Sequence, residues 1–196
     1  TKILTEQTLD MGQGLSNQYV KSKYEAERII LDAVEAGRLN AKIMRVGNIS
    51  PRNSDGEFQA NFQHNAFMGR LRAYLALGCV PYSHLVSECE FSPVDMLAHS
   101  ILDLATTPAA NIVFHPLNNH HIPLADVIDV MAEVLGVTID FVDDDEFGKR
   151  LSEAMETASE RVTFLQPLVA YESENGATTF AGFTSTYTNC ILYHLG

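Results

Sequence analysis

Residues 17–37 constrain this chain more than any other stretch. Val20, Tyr24, Ala26, Ile30, Leu31 and Val34 recur there at helical spacing, which marks a helix with one face turned inward. Gly37 stands where such a helix would close, because glycine adopts the left-handed C-cap conformation without penalty. Ala41 to Val46 follows as a short apolar run with β-branched residues, and it reads as a buried parallel strand. A helix feeding a buried strand is the unit of α/β architecture. The alternation continues downstream. Helices are predicted over 58–77, from Pro93 to about Thr106, over 124–135 with Gly136 as C-cap, and over 146–157. Strands are predicted over 111–115 and 138–142. Residues 1–15 read as loop, with Ser16 or Asn17 capping the first helix. Tyr171 to Gly176 reads as an exposed turn, before a last short helix.

Two side chains at the head of the first helix carry chemistry. Tyr19 and Lys23 are four residues apart and share one helix face. An ammonium beside a phenol favours the phenolate, so the pair is a usable general acid toward a carbonyl oxygen. The lysine also has donors to offer a ribose hydroxyl. Many helices carry such a pair for no chemical reason, so spacing alone does not decide. The strand Ala41–Val46 ends in Gly47-Asn48-Ile49-Ser50-Pro51-Arg52. Ligands of open parallel sheets bind beyond the carboxyl ends of the strands. A plain strand-exit turn explains the same residues.

The text around these residues narrows the choice. Tyr19-Val20-Lys21-Ser22-Lys23-Tyr24-Glu25-Ala26-Glu27, Met44-Arg45-Val46-Gly47-Asn48 and Glu90-Phe91-Ser92-Pro93-Val94-Asp95 resemble the extended short-chain dehydrogenase/reductases. Within that group they are most similar to the thioester reductase domains of nonribosomal peptide synthetases and carboxylic acid reductases. The resemblance runs from about residue 5 to at least residue 150. It implies the C-terminal portion of a doubly wound Rossmann-like α/β fold plus a mostly helical substrate lobe, with the N-terminal nucleotide-binding half missing. Residues 1–56 would hold the catalytic helix and following strand, and residues 57–196 the substrate-binding lobe. It implies Tyr19 as proton donor and Lys23 as its partner and ribose ligand, both of them in contact with the cofactor. Val46, Gly47 and Asn48 would border the nicotinamide of NADPH or NADH. The partner implied is an acyl or peptidyl carrier protein bearing a phosphopantetheine thioester, which the enzyme would release as aldehyde or alcohol. Without the upstream half, the fragment would be inactive and bind no cofactor alone. It would also leave a sheet edge exposed for self-association.

Other features exclude more than they assign. With 13 Lys and Arg against 25 Asp and Glu, the formal net charge is −12, which argues against a nucleic-acid footprint. No apolar run approaches a membrane span. Cys79, Cys89 and Cys190 are odd in number and widely spaced, fitting a reducing, cytoplasmic setting. Gly12-Gln13-Gly14 lacks the third glycine and preceding strand of a dinucleotide fingerprint. His115, His120 and His121 raise a metal site, but His120 and His121 are adjacent and diverge, and no cysteine completes a set. Asp143 to Glu146 lacks calcium-loop spacing and reads as a helix cap. Asp95, in the first turn of its helix, reads as structural.

Two alternatives stay open from sequence. Another extended reductase or a sugar-nucleotide epimerase uses the same Tyr-Lys pair. A non-catalytic module that binds a carrier or partner surface would keep the same helix pattern.

Overall fold

Residues 3–10, 15, 18–62, 65–108, 110–157, 165–166, 168–169 and 182–195 are described by the structure, a computed structural model. In chain order the elements are β1 (Ile3–Leu4), α1 (Gln18–Glu35), β2 (Ile43–Met44), β3 (Ile49–Ser50), α2 (Ala66–Leu77), β4 (Cys79–Pro81), α3 (Tyr82–Leu85), β5 (Glu88–Glu90) and β6 (Ser92–Pro93). They continue as α4 (Val94–Ala105), β7 (Val113–Phe114), β8 (His121–Pro123), α5 (Leu124–Leu135), β9 (Asp140–Val142), α6 (Asp144–Thr157), β10 (Gly182–Phe183) and α7 (Thr186–Leu195). The α/β class expected from the sequence is the one observed. The glycine segment at 12–14, the cap at Ser16 or Asn17 and the turn at 171–176 lie outside the described residues.

The chain forms two compact units. One comprises Thr1–Gly56, Ser92–Asn119 and Thr178–Gly196; the other comprises Glu57–Phe91 and His120–Ala177.

In the first unit, β1 pairs with β10, β2 with β7 and β3 with β6, all parallel. The expected strand Ala41–Val46 is shorter as a regular element, yet its pairing runs on. The N–H groups of Ile43, Arg45 and Gly47 donate in turn to the carbonyls of Ile112, Phe114 and Pro116. Ser92 N–H then donates to Asn48 O, so one extended segment serves two partners in succession. Ile43, Leu97, Leu104 and Phe114 are buried, and the Phe114 ring stacks on Tyr187 at 6.1 Å. Ile3–Leu4 is a strand where a loop was expected, because a parallel partner 179 residues later supplies its ladder.

Two helix ends form as the sequence predicts. At Gly37 (φ 67°), its N–H donates to Val34 O and that of Arg38 to Ala33 O. At Gly136 (φ 63°), the same pair of bonds reaches Glu133 and Ala132. Both are six-to-one closures that need a left-handed residue.

In the second unit, β4 pairs with β9 in parallel and β5 with β8 antiparallel. Leu71, Tyr74, Val80, Leu124, Ile128 and Phe147 form its core. Tyr74 Oη lies 2.7 Å from His84 Nδ1, both side chains buried. Asp143 Oδ1 accepts from Glu146 N–H at 2.8 Å, so the acidic run caps α6. Arg150 on α6 binds Asp140 Oδ2 and Glu146 Oε1 at 2.9 and 2.8 Å.

Two expected boundaries move. The helix expected from residue 58 begins at Ala66. Asn65, extended at φ −75° and ψ 118°, caps it by accepting Met68 N–H. Phe58 and Phe62 matched helical spacing, but the chain before the cap turns. The helix expected from Pro93 starts one residue later, because the preceding Ser92 is held in a strand. Pairing with Asn48 keeps Ser92 extended, its Oγ accepts Asn118 N–H at 3.1 Å, and α4 starts at Val94.

Candidate active site

Tyr19 and Lys23 lie one turn apart near the start of α1. The Lys23 ammonium sits 5.3 Å from the centroid of the Tyr19 ring, within reach of the ring's negative face. Ser22 Oγ donates to Tyr19 O at 2.8 Å, and Lys21 faces Glu25 one turn on at 3.9 Å. The pair stands on an open surface. Tyr19 is 69% exposed, and no residue of α1 is buried. Of the expected apolar stripe, Tyr24, Ile30, Leu31 and Val34 are half-buried, as is Glu27, while Val20 and Ala26 are exposed.

One ionic joint fastens α1 to the strand. Arg45, just beyond β2, donates from Nε to Glu27 Oε1 and Oε2 at 2.9 and 3.1 Å, and from Nη2 to Oε2 at 2.7 Å. Both side chains are mostly buried, at 15% and 19% exposure. Arg45 Nη1 also donates to Thr5 O at 3.1 Å and meets His115 Nε2 at 3.0 Å. A bidentate arginine–carboxylate pair of this kind fixes orientation as well as position. The three residues after Arg45 are Val46, Gly47 and Asn48. Val46 and Asn48 are exposed and Gly47 is half-buried, at the carboxyl end of a strand in a parallel pair.

Asp95 shapes the segment that leaves β3. Its Oδ1 accepts Asn53 N–H at 3.0 Å and its Oδ2 accepts Ser54 N–H at 3.2 Å. Oδ1 also accepts Met96 N–H. These bonds, that from Asn53 first, hold the carboxyl at about 2 against an ordinary 3.8. Asp95 thus ties down residues 53 and 54 as well as starting α4.

The histidines go to separate tasks. His115 is buried, and burial lowers its proton affinity. His121 Nδ1 lies 3.1 Å from Glu88 Oε2 across the β5–β8 pair. Among the described residues, no group of three or more His, Cys, Asp or Glu is placed to hold a metal ion. None of the described helices is long and apolar enough to cross a membrane.

Sequence reasoning singled out Tyr19, Lys23 and residues 46–48 but not the joint beneath them. A signal was present: an arginine inside the apolar run Ile43-Met44-Arg45-Val46 needs an opposite charge if it is buried. Which carboxylate answers it was not readable.

The family model described as male sterility protein, an NAD-binding family, matches residues 1–101. That is just over half of the chain, and the chain belongs to this family, the thioester reductase type of the extended short-chain dehydrogenase/reductases. Solved structures agree. A thiolation-reductase di-domain from an archaeal non-ribosomal peptide synthetase is 33% identical, with TM-score 0.81 over 100% of this chain and 40% of that one. The reductase domain of the aureusimine biosynthetic cluster is 26% identical, with TM-score 0.82 over 99% of this chain and 49% of that one. The terminal R domain of the myxalamid PKS-NRPS pathway, 20% identical, shares the fold at TM-score 0.81, over 100% and 49% of the two chains. The chain therefore spans between 40% and 49% of the length of these structures. No curated protein matches it.

Proposed function

We propose that this chain supplies the catalytic helix and substrate-binding portion of an NAD(P)H-dependent reductase that releases an acyl group from a carrier-bound thioester. The observation that carries the reading is the Lys23 ammonium over the Tyr19 ring on an exposed face of α1. The same helix is clamped by Arg45 to the strand whose exit carries Val46, Gly47 and Asn48.

These residues fit the nicotinamide end of the cofactor. Lys23 has donors for the ribose hydroxyls, and Gly47 offers a backbone that a flat ring can approach closely. The reduced nicotinamide, when bound, supplies hydride. The chain's own part is acid catalysis and placement. Tyr19 Oη gives its proton to the carbonyl oxygen as that oxygen takes up charge. The Lys23 charge then stabilises the phenolate left behind. Proton donation of this kind contributes roughly 10²–10⁴ in rate. Asp95 holds Asn53 and Ser54 in the segment that follows β3.

The residues from 57 onward serve in this reading as the larger part of a substrate-binding lobe. The archaeal relative carries its thiolation domain beside the reductase, which supports a carrier protein with a phosphopantetheine arm as partner. Hydride addition to the thioester carbonyl and loss of the thiol give the aldehyde; the alcohol takes a second hydride from a second reduced nicotinamide and a second proton.

The test is NADPH binding by calorimetry, with this chain and with one extended upstream to the length of the matched structures. Binding by the longer chain only, with thioester-dependent NADPH oxidation lost in Tyr19→Phe, is the expected result. No binding by either chain overturns the reading.

A further inference from the structure

Behind the Arg45–Glu27 joint lies a chain of polar groups that runs through the first unit. A guanidinium donates and cannot accept. Arg45 Nη1 is 3.0 Å from His115 Nε2, so Nε2 must present its lone pair. The other ring nitrogen, Nδ1, is 2.8 Å from Thr184 O, which only accepts. The two contacts together admit one form of the ring: neutral, with its proton on Nδ1. On the backbone side, His115 N–H donates to Thr188 Oγ1 at 2.7 Å. Thr188 in turn donates from Oγ1 and from N–H to Glu6 Oε1, each at 3.0 Å. Glu6, His115 and Thr188 are all buried.

We propose that Arg45 is a positioning residue for the Tyr19–Lys23 pair, and that the chain Glu6–Thr188–His115–Arg45–Glu27 holds α1 in place only while His115 is neutral. The positioning role rests on the reductase reading of Tyr19 and Lys23; the network does not. A proton on Nε2 would set two donors and two positive charges 3.0 Å apart. Arg45 would then withdraw from His115 and loosen its hold on Glu27. Glu27 lies eight residues beyond Tyr19, about 12 Å along the helix. No residue of α1 is fully buried, so its half-buried face at Tyr24, Ile30, Leu31 and Val34 shares the task of holding it with the joint.

The charges facing His115 are Arg45 beside β2, Glu27 on α1 and Glu6 after β1. From α7 the uncharged Thr188 bonds its backbone N–H. Burial and Arg45 disfavour the imidazolium, the two carboxylates and the Thr184 bond favour it, and burial is the largest effect. The net direction is toward the neutral ring. A histidine that binds its proton less readily when folded stabilises the fold above the ordinary 6.5. That contribution is lost as pH falls below this value.

Histidine-selective ¹⁵N labelling of the wild-type chain tests the network directly. The expected spectrum shows His115 neutral with its proton on Nδ1 at pH 7. A proton on Nε2, or an imidazolium at pH 7, overturns the proposal. Amide exchange tests the positioning. Arg45→Lys, a single point of charge, is expected to speed exchange across Tyr19–Glu35 by about tenfold to a hundredfold, with Leu124–Leu135 unchanged. In wild type, α1 protection corrected for intrinsic exchange falls below pH 6.5. In His115→Gln, whose Oε1 accepts from Arg45 without titrating, that pH dependence disappears. Unchanged α1 protection in Arg45→Lys overturns the positioning role. Turnover of the longer chain separates the two readings. Arg45→Lys is expected to lower kcat and, because Lys23 moves with α1, to raise KM for NADPH. A wild type without turnover removes the reductase reading, while tautomer and exchange still decide the network. A failed tautomer result with turnover lost in Tyr19→Phe removes the network and leaves the reductase reading standing.

Discussion

Arg45 grips both carboxylate oxygens of Glu27 at 2.7–3.1 Å. The two residues belong to two of the three sequence stretches that resemble the reductase family, those holding Tyr24-Glu25-Ala26-Glu27 and Met44-Arg45-Val46. Those stretches are the halves of one joint. It sets the helix bearing Tyr19 and Lys23 against the strand that ends in Val46, Gly47 and Asn48.

Breaking that joint should cost stability. Glu27→Gln keeps one acceptor but removes the charge, and it leaves Arg45 partly buried without its counter-ion. The expected loss is about 1–3 kcal/mol. It would be read as a lower urea midpoint at unchanged slope. A midpoint equal to wild type would show that the pair contributes no net stability.

Tyr19→Phe should leave the fold intact, since the side chain is 69% exposed. In a chain of full reductase length it should lower thioester-dependent NADPH oxidation by roughly 10²–10⁴. NADPH affinity should change little, because Lys23 is retained. Stopped-flow absorbance with calorimetry checks both. Lys23→Met should weaken NADPH binding as well as turnover.

The Asp95 carboxyl, held at about 2 against an ordinary 3.8, has its folded value below its unfolded one. Its contribution is therefore fully present above 3.8 and is lost as pH falls toward 2. Exchange of the Asn53 and Ser54 amides should stay protected from neutral pH down to about 4. In Asp95→Asn the same two amides should lose protection at neutral pH. Carbon-detected titration of Asp95 near 3.8 would contradict this assignment.

In the second unit, Tyr74→Phe removes the hydroxyl that meets His84 Nδ1 in a buried setting. The expected cost is about 1–3 kcal/mol, because a buried hydrogen bond loses one of its two partners. Thermal unfolding of the variant against wild type measures it.

Local signals wrote much of this fold into the sequence. Helix α5 starts and stops where Pro123 and Gly136 place it, and α1 closes at Gly37. Such ends depend on one residue's backbone freedom, which its identity declares. The Tyr19–Lys23 contact is equally local, being one helical turn. Where competing local signals met, periodicity misled. Phe58 and Phe62 kept helical spacing, yet α2 begins at Ala66, where Asn65 caps it.

What the sequence by itself determined is the α/β class, the helix carrying Tyr19 and Lys23, and the strand that leads to Val46. What only the tertiary structure decided is how those parts are joined. Arg45 meets Glu27, His115 and Thr5 across separations of 18, 70 and 40 residues, and Thr188 meets Glu6 across 182. No local pattern encodes such pairs, because a charged group accepts any opposite charge that folding brings within reach. The choice falls to the packing that buries Glu6, His115 and Thr188. Burial then makes each of their hydrogen bonds costly to leave unmade.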